Sequence, residues 1–180
     1  MDFQQSKTYN NLLTAYDWEL GVSTKYSIFG DVARAEGFQQ IGNIFDITSK
    51  NEKEHARIWL RRINNGQLPT TSENLSYCAE LENYSGNRMY RDFAMVAREE
   101  GYDDIAALFN GVGNIELNHQ LRFQSWFEDV ERNKVFCKDE VVLWVCMQCG
   151  NIMSGTCAPN PCPVCGFPQG YYRLYDSNVD

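Results

Sequence analysis

The chain has two histidines in 180 residues, and both close the same kind of four-residue word: Glu52-Lys53-Glu54-His55 and Glu116-Leu117-Asn118-His119. On a helix, a carboxylate and an imidazole three positions apart project from one face, so each word offers an oxygen and a nitrogen to one cation. A second signal lies further along, where Cys146-x-x-Cys149 precedes Cys162-x-x-Cys165. Four thiolates so spaced make a tetrahedral site for one iron or for a structural zinc. The glycines that follow each pair, Gly150 and Gly166, permit tight turns that free backbone amides to reach sulfur. Trp144, Tyr171 and Tyr172 beside the pairs, with Cys162-Pro163-Val164-Cys165-Gly166, favour iron. Carboxylates with imidazoles suit iron or manganese and two-electron chemistry with dioxygen or peroxide, whereas zinc in the same ligands is redox-silent. An iron on four thiolates is a one-electron centre.

Such donors need rigid elements. Apolar residues recur at helical spacing in four segments, expected at about 8–36, 38–65, 71–100 and 102–133. Gly37, Gly101 and the run Asn64-Asn65-Gly66 are stop signals, and Thr70-Thr71-Ser72-Glu73 after Pro69 is a capping box for the third helix. The fold class is mainly α, with two antiparallel helical hairpins joined by a short crossover. The hairpins are copies: at an offset of 64, Tyr26, Phe29, the run 32–38, Ile41, Phe45, Glu52 and His55 fall on Tyr90, Phe93, the run 96–102, Ile105, Phe109, Glu116 and His119. The duplication predicts a bundle in which both Glu-His words meet at the centre. Dinuclear sites of ferritin-like bundles add one glutamate from each remaining helix, and Glu19 and Glu82 are the candidates. Glu19 lies seven residues before Tyr26 but Glu82 lies eight before Tyr90. If both face inward, the third helix carries an extra residue, and Ser85-Gly86 is the place for a π-bulge. Tyr26 and Tyr90 are either core aromatics or hydrogen-bond partners of the ligand carboxylates.

Beyond Lys134 the pattern turns alternating and aromatic, predicting a small strand-and-loop module near 141–175 that depends on its metal to fold. The domains are set at 1–136, the helical bundle, and 137–180, the thiolate module. The net charge of −8 and the pI near 4.8 argue against nucleic acid as a partner. The first ten residues are polar and no run approaches a membrane span, so a cytoplasmic protein is expected. In that setting the paired cysteines read as metal thiolates. Cys78 reads as a packing residue, and Cys137 and Cys157 are left without a role.

Asn10-Asn11-Leu12-Leu13-Thr14-Ala15 before Glu19, Asn51 to Ala56, Glu82-Asn83-Tyr84 before Met89-Tyr90, and the C-terminal knuckles together resemble the rubrerythrin family over about residues 7–175. The resemblance implies a ferritin-like four-helix bundle with a non-haem di-iron site on Glu19, Glu52, His55, Glu82, Glu116 and His119. It also implies a rubredoxin-type domain with one iron on Cys146, Cys149, Cys162 and Cys165, with zinc a possible substitute for iron. The family forms homodimers or larger assemblies and reduces hydrogen peroxide to water. Its electrons come from NAD(P)H through a separate reductase, or from rubredoxin, and the relay crosses between subunits. One departure bears on the chemistry. The family's third helix reads Glu-x-x-Glu, and its second glutamate is exchanged for a histidine as the site changes oxidation state; here that position is Ser85. Either a water held by Ser85 takes its place or the iron stays on His55. Three functions follow: a peroxidase, a dioxygen-using ferroxidase or iron-handling protein, and an electron-transfer or metal-buffering protein with zinc in the bundle.

Overall fold

A computed structural model describes residues 2–177, so the outermost residues of the two expected domains lie outside the described part. The chain divides into two compact units, Met1–Pro69 and Thr70–Asp180.

The first unit is a hairpin of α1 (Lys7–Ala35) and α2 (Gln39–Ile63). The Ser6 hydroxyl caps α1 by accepting from the Tyr9 amide. At the turn Gly37 takes φ 90°, a left-handed conformation that a side chain would strain, and the Phe38 amide donates to the Ala33 carbonyl at 2.8 Å.

The second unit repeats this hairpin and adds the thiolate module. α3 (Thr71–Tyr84), a π-helical turn (Ser85–Met89) and α4 (Tyr90–Glu99) run on as one long helix, followed by α5 (Asp103–Glu131). The expected capping box is present, with the Thr70 hydroxyl accepting from the Glu73 amide and the Glu73 carboxylate accepting from the Thr70 amide at 2.7 Å. Those bonds from Thr70 lower the pKa of Glu73. The π turn begins where the unequal glutamate–tyrosine spacing placed it. Gly101 (φ 86°) turns the chain, and the Tyr102 amide donates to the Ala97 carbonyl at 2.7 Å, repeating the first hairpin. The four expected helices are thus all present.

Small residues set how closely the helices of each hairpin approach. A Cβ on Gly42 would lie 3.0 Å from the Gly30 carbonyl oxygen, and one on Gly30 would lie 3.2 Å from that of Gly42. Their repeat counterparts, Ala94 and Ala106, are fully buried. Two turns nearer the Glu-His words, Ser23 and Ser49 exchange hydrogen bonds in the first hairpin, and Gly86 faces Gly113 in the second. The matched aromatics also meet in space. Tyr26 and Phe29 pack on Phe45 with centroids 6.2 and 5.9 Å away, and Tyr90 and Phe93 pack on Phe109 at 6.1 and 5.6 Å.

The module is a three-stranded antiparallel sheet in the order β2-β1-β3, with β1 Cys137–Cys146, β2 Ile152–Cys157 and β3 Tyr172–Leu174. Trp144, Cys146, Ala158, Cys162 and Tyr172 form its core, and the Trp144 indole donates to the Gly155 carbonyl at 3.1 Å. One expectation needs correcting. Cys137 and Cys157 do have a role, because they are opposite each other in the β1–β2 register and form a disulfide. Cys78 is a free, half-buried thiol on α3, as a packing residue would be.

The approach of the helices gives a paired prediction for urea unfolding. A Cβ on Gly86 would lie 2.8 Å from the Gly113 carbonyl oxygen and from Leu117, so Gly86→Ala should destabilise by about 1–3 kcal/mol. Gly21→Ala, with nothing within 4 Å, should stabilise by about 0.5–1 kcal/mol. Equal effects at the two positions would contradict the close contact.

Candidate metal centres

Within the first unit, α1 turns Glu19 toward the Glu52-His55 pair of α2. His55 Nδ1 lies 2.7 Å from Glu52 Oε2 and 3.9 Å from Glu19 Oε2. Within the second unit, α3 presents Glu82 to the Glu116-His119 pair of α5, with His119 Nδ1 2.9 Å from Glu116 Oε2 and 3.8 Å from Glu82 Oε1. The duplication read from the sequence is therefore also a duplication of geometry. In both triads Nδ1 is the ring nitrogen facing the carboxylates, and the three donor atoms lie within 4.8 Å of one another.

Crowding of this kind calls for a cation. Burial raises the pKa of Glu82, the hydrogen bond and negative charge of Glu116 raise it further, and His119 and Arg122 oppose the shift. Oxygen and nitrogen ligands at about 2.0–2.2 Å from a shared ion stand roughly 3–3.5 Å apart, and the observed separations bracket that range. The donors fit a cation that prefers oxygen and imidazole.

The thiolate site is closed and nearly symmetric. Cys146 and Cys165 sulfurs are 3.7 Å apart and those of Cys149 and Cys162 are 3.8 Å apart. A tetrahedron with metal–sulfur bonds of about 2.3 Å has edges of about 3.8 Å. Each knuckle closes in the same way, the Gly150 amide donating to the Cys146 carbonyl at 2.8 Å and the Gly166 amide to that of Cys162 at 2.9 Å. Both glycines have positive φ, which explains their place after each second cysteine. Tyr172, 3% exposed, stands against Cys162. Its hydroxyl hydrogen bond is the largest cause of a Cys162 pKa lowered to about 6, while burial and then that same bond push Tyr172 up to about 12. The phenol thus favours a charged sulfur.

The three residues expected beside the dinuclear ligands are placed as follows. Tyr26 and Tyr90 lie in the aromatic groups described above. Ser85 Oγ donates to the Leu81 carbonyl at 3.0 Å, so its proton is held by its own helix and its oxygen can only accept from a water. Two features escaped the sequence reading. Tyr172 was noted only as an aromatic neighbour, and the Cys137–Cys157 bridge carries no motif.

The rubrerythrin family model matches residues 10–127, and the model of the rubrerythrin rubredoxin-like domain matches residues 144–173. A rubrerythrin of Clostridium perfringens is 39% identical over 94% of this chain and 95% of its own length. The rubrerythrin of Nitratidesulfovibrio vulgaris is 34% identical over 96% of both chains. This chain belongs to the rubrerythrin family. A solved mixed-valence structure of nigerythrin is similar at 24% identity, covering 97% of this chain and 91% of that one, with a TM-score of 0.36. As a member of the rubrerythrin family, the chain combines a di-iron site of the Glu/His type with a rubredoxin-like iron site of four cysteines. The family is one of oxidoreductases. No described helix is long and apolar enough to cross a membrane.

A module this small depends on its metal. Stripping the thiolate iron with a chelator under reducing conditions should abolish the near-ultraviolet circular dichroism of buried Trp144 and leave the far-ultraviolet helical signal. A Trp144 signal that survives full removal would show that the apolar core holds alone.

Proposed function

We propose that the chain is a non-haem di-iron peroxidase. In this reading residues 1–136 form the catalytic bundle and residues 137–180 the electron-entry domain, and the protein defends the cytoplasm against oxidative stress. The observation that carries it is the presence of two unlike redox sites on one chain, a pair of carboxylate–imidazole triads and a tetrathiolate cage.

Glu19, Glu52, His55, Glu82, Glu116 and His119 would hold the two irons, and Cys146, Cys149, Cys162 and Cys165 the third. A reduced dinuclear iron site supplies two electrons at once, which matches the balance H2O2 + 2 e− + 2 H+ → 2 H2O. Four carboxylates offset the charge of two divalent cations, and the two imidazoles leave the set neutral overall when the irons are ferrous. The thiolate cage suits single-electron delivery, with Tyr172 and the backbone amides at the sulfurs setting its potential. Tyr26 and Tyr90 are proposed to hydrogen-bond the ligand carboxylates. The electrons come from an NAD(P)H-dependent reductase or a rubredoxin, and the working unit is a homodimer or larger assembly.

Ser85 supports a second reading. With its hydroxyl donating to Leu81, it leaves six protein donors, the set that ferritin-like oxidases use on dioxygen. Under that reading the protein is a ferroxidase or handles iron.

Steady-state NADH oxidation with a suitable reductase and H2O2 should exceed the free-iron background at least tenfold, and turnover at background would contradict peroxidase function. Ser85→Glu restores the family's Glu-x-x-Glu pattern and should raise peroxide turnover severalfold. Unchanged kinetics would show that position 85 does not limit the reaction.

A further inference from the structure

Six of the seven cysteines lie in the thiolate module, and the module keeps them in opposite states. Cys146, Cys149, Cys162 and Cys165 must stay reduced to take a metal, whereas Cys137 and Cys157 are joined. The joined pair is not a buried staple. Cys157 is exposed and Cys137 half-buried, and disulfides that solvent reaches are the labile ones, ready to exchange with an outside thiol.

Opening the bond does not part the two sulfurs. The Ala158 amide donates to the Phe136 carbonyl at 2.8 Å, one step outside the Cys137–Cys157 pair, so the pair occupies a non-hydrogen-bonded rung, where opposed side chains approach most closely. Phe136 and Ala158 also pack in the module core beside Cys146 and Cys162, and Lys138 Nζ holds Asp129 of α5 at 2.7 Å. The rung is therefore kept by contacts that do not involve sulfur. Nor does the metal cage depend on the bond. On β1, residues 138–141 stand against Thr156 alone, and beyond this irregular stretch the ladder from Val142 to Val145 and the Cys146 amide donating to the Asn151 carbonyl at 2.9 Å hold the first knuckle. The pair can open and close while the cage stays shut.

We propose that Cys137 and Cys157 are a dithiol–disulfide couple that reduces hydrogen peroxide, a second and thiol-based site that does not depend on the dinuclear one. The sulfur of exposed Cys157 attacks one oxygen of H2O2; the O–O bond breaks, the sulfur becomes a sulfenic acid, and the other oxygen takes a proton and leaves as water. The Cys137 sulfur, already opposite, attacks that of Cys157, so the S–S bond forms, the S–O bond breaks and the hydroxyl leaves as a second water. A small dithiol then attacks the exposed Cys157 sulfur and releases Cys137 as a thiol. Its second thiol displaces Cys157, and the donor departs as its own disulfide. The sum is H2O2 + dithiol → disulfide + 2 H2O.

Thiol counting on the iron-loaded full-length protein tests it, with samples quenched in acid, unfolded and alkylated. The oxidised chain should take up five alkyl groups and the chain treated with dithiothreitol seven. After removal of dithiothreitol, H2O2 should return the count to five, with the Cys137–Cys157 peptide recovered and closure about tenfold or more faster than loss of the Cys78 thiol. Iron should stay bound throughout, by iron count after gel filtration. With dimedone present during the peroxide step, Cys137→Ser should carry the sulfenic-acid adduct on Cys157, and Cys157→Ser should carry none on Cys137. A native chain that stays at five groups in dithiothreitol holds an inert staple, which overturns the proposal. So does a pair that opens but closes no faster than Cys78 is lost, or that ends as sulfinic acid. An adduct on Cys137 in place of Cys157 overturns the order of the two sulfurs.

Discussion

The contact between helices within a hairpin governs what the rest of the molecule can do. Gly30 against Gly42, and Ala94 and Ala106 buried at the matching positions, let the helices approach until only a hydrogen atom or a methyl group fits between them. At that distance a glutamate on one helix reaches a Glu-x-x-His pair on the other, and three donors converge within 4.8 Å. Larger residues there would part the helices and open the triads. The same closeness has a cost, because it leaves large apolar side chains such as Phe29, Val32, Phe93 and Val96 on the outside of each hairpin.

The two classes of site divide the chemistry by ligand. Carboxylates around a pair of cations tolerate changes in charge by sharing oxygens, and they keep the site accessible to a small oxidant. Thiolates in a closed tetrahedron hold one ion rigidly, and a rigid shell lowers the reorganisation needed to pass one electron. The order of the chain follows this division. Charge compensation is local in each: imidazole and Arg122 face the half-buried Glu82, and the Tyr172 hydroxyl and backbone amides face the sulfurs.

Much of this was legible in the sequence, for identifiable physical reasons. A 64-residue repeat doubles every periodic signal, so the helices, their glycine stops and both Glu-His words reinforced one another. The π turn at Ser85–Met89 was legible because a seven-residue spacing in one copy becomes eight in the other, and one extra residue in a helix leaves few options. The disulfide was not legible. Its partners meet only because β1 and β2 pair with an irregular register between Cys137 and Val142, a long-range fact with no local trace. The hydrogen bond from Ser85 to Leu81 was likewise hidden, since serine can satisfy itself on its own helix or on a ligand and its type does not say which. The role of Tyr172 at Cys162 depends on β3 pairing beside β1, which brings Tyr172 opposite Cys146.

The central claim is that this dinuclear site is tuned to peroxide despite Ser85. Stopped-flow oxidation of the anaerobically reduced, iron-loaded protein by H2O2, and separately by air-saturated buffer, tests it while both iron chromophores are followed. The account predicts that the dinuclear absorption forms at least tenfold faster with H2O2 than with O2 and that the thiolate iron oxidises after it. Equal or faster oxidation by O2 would contradict it and make the chain an oxidase.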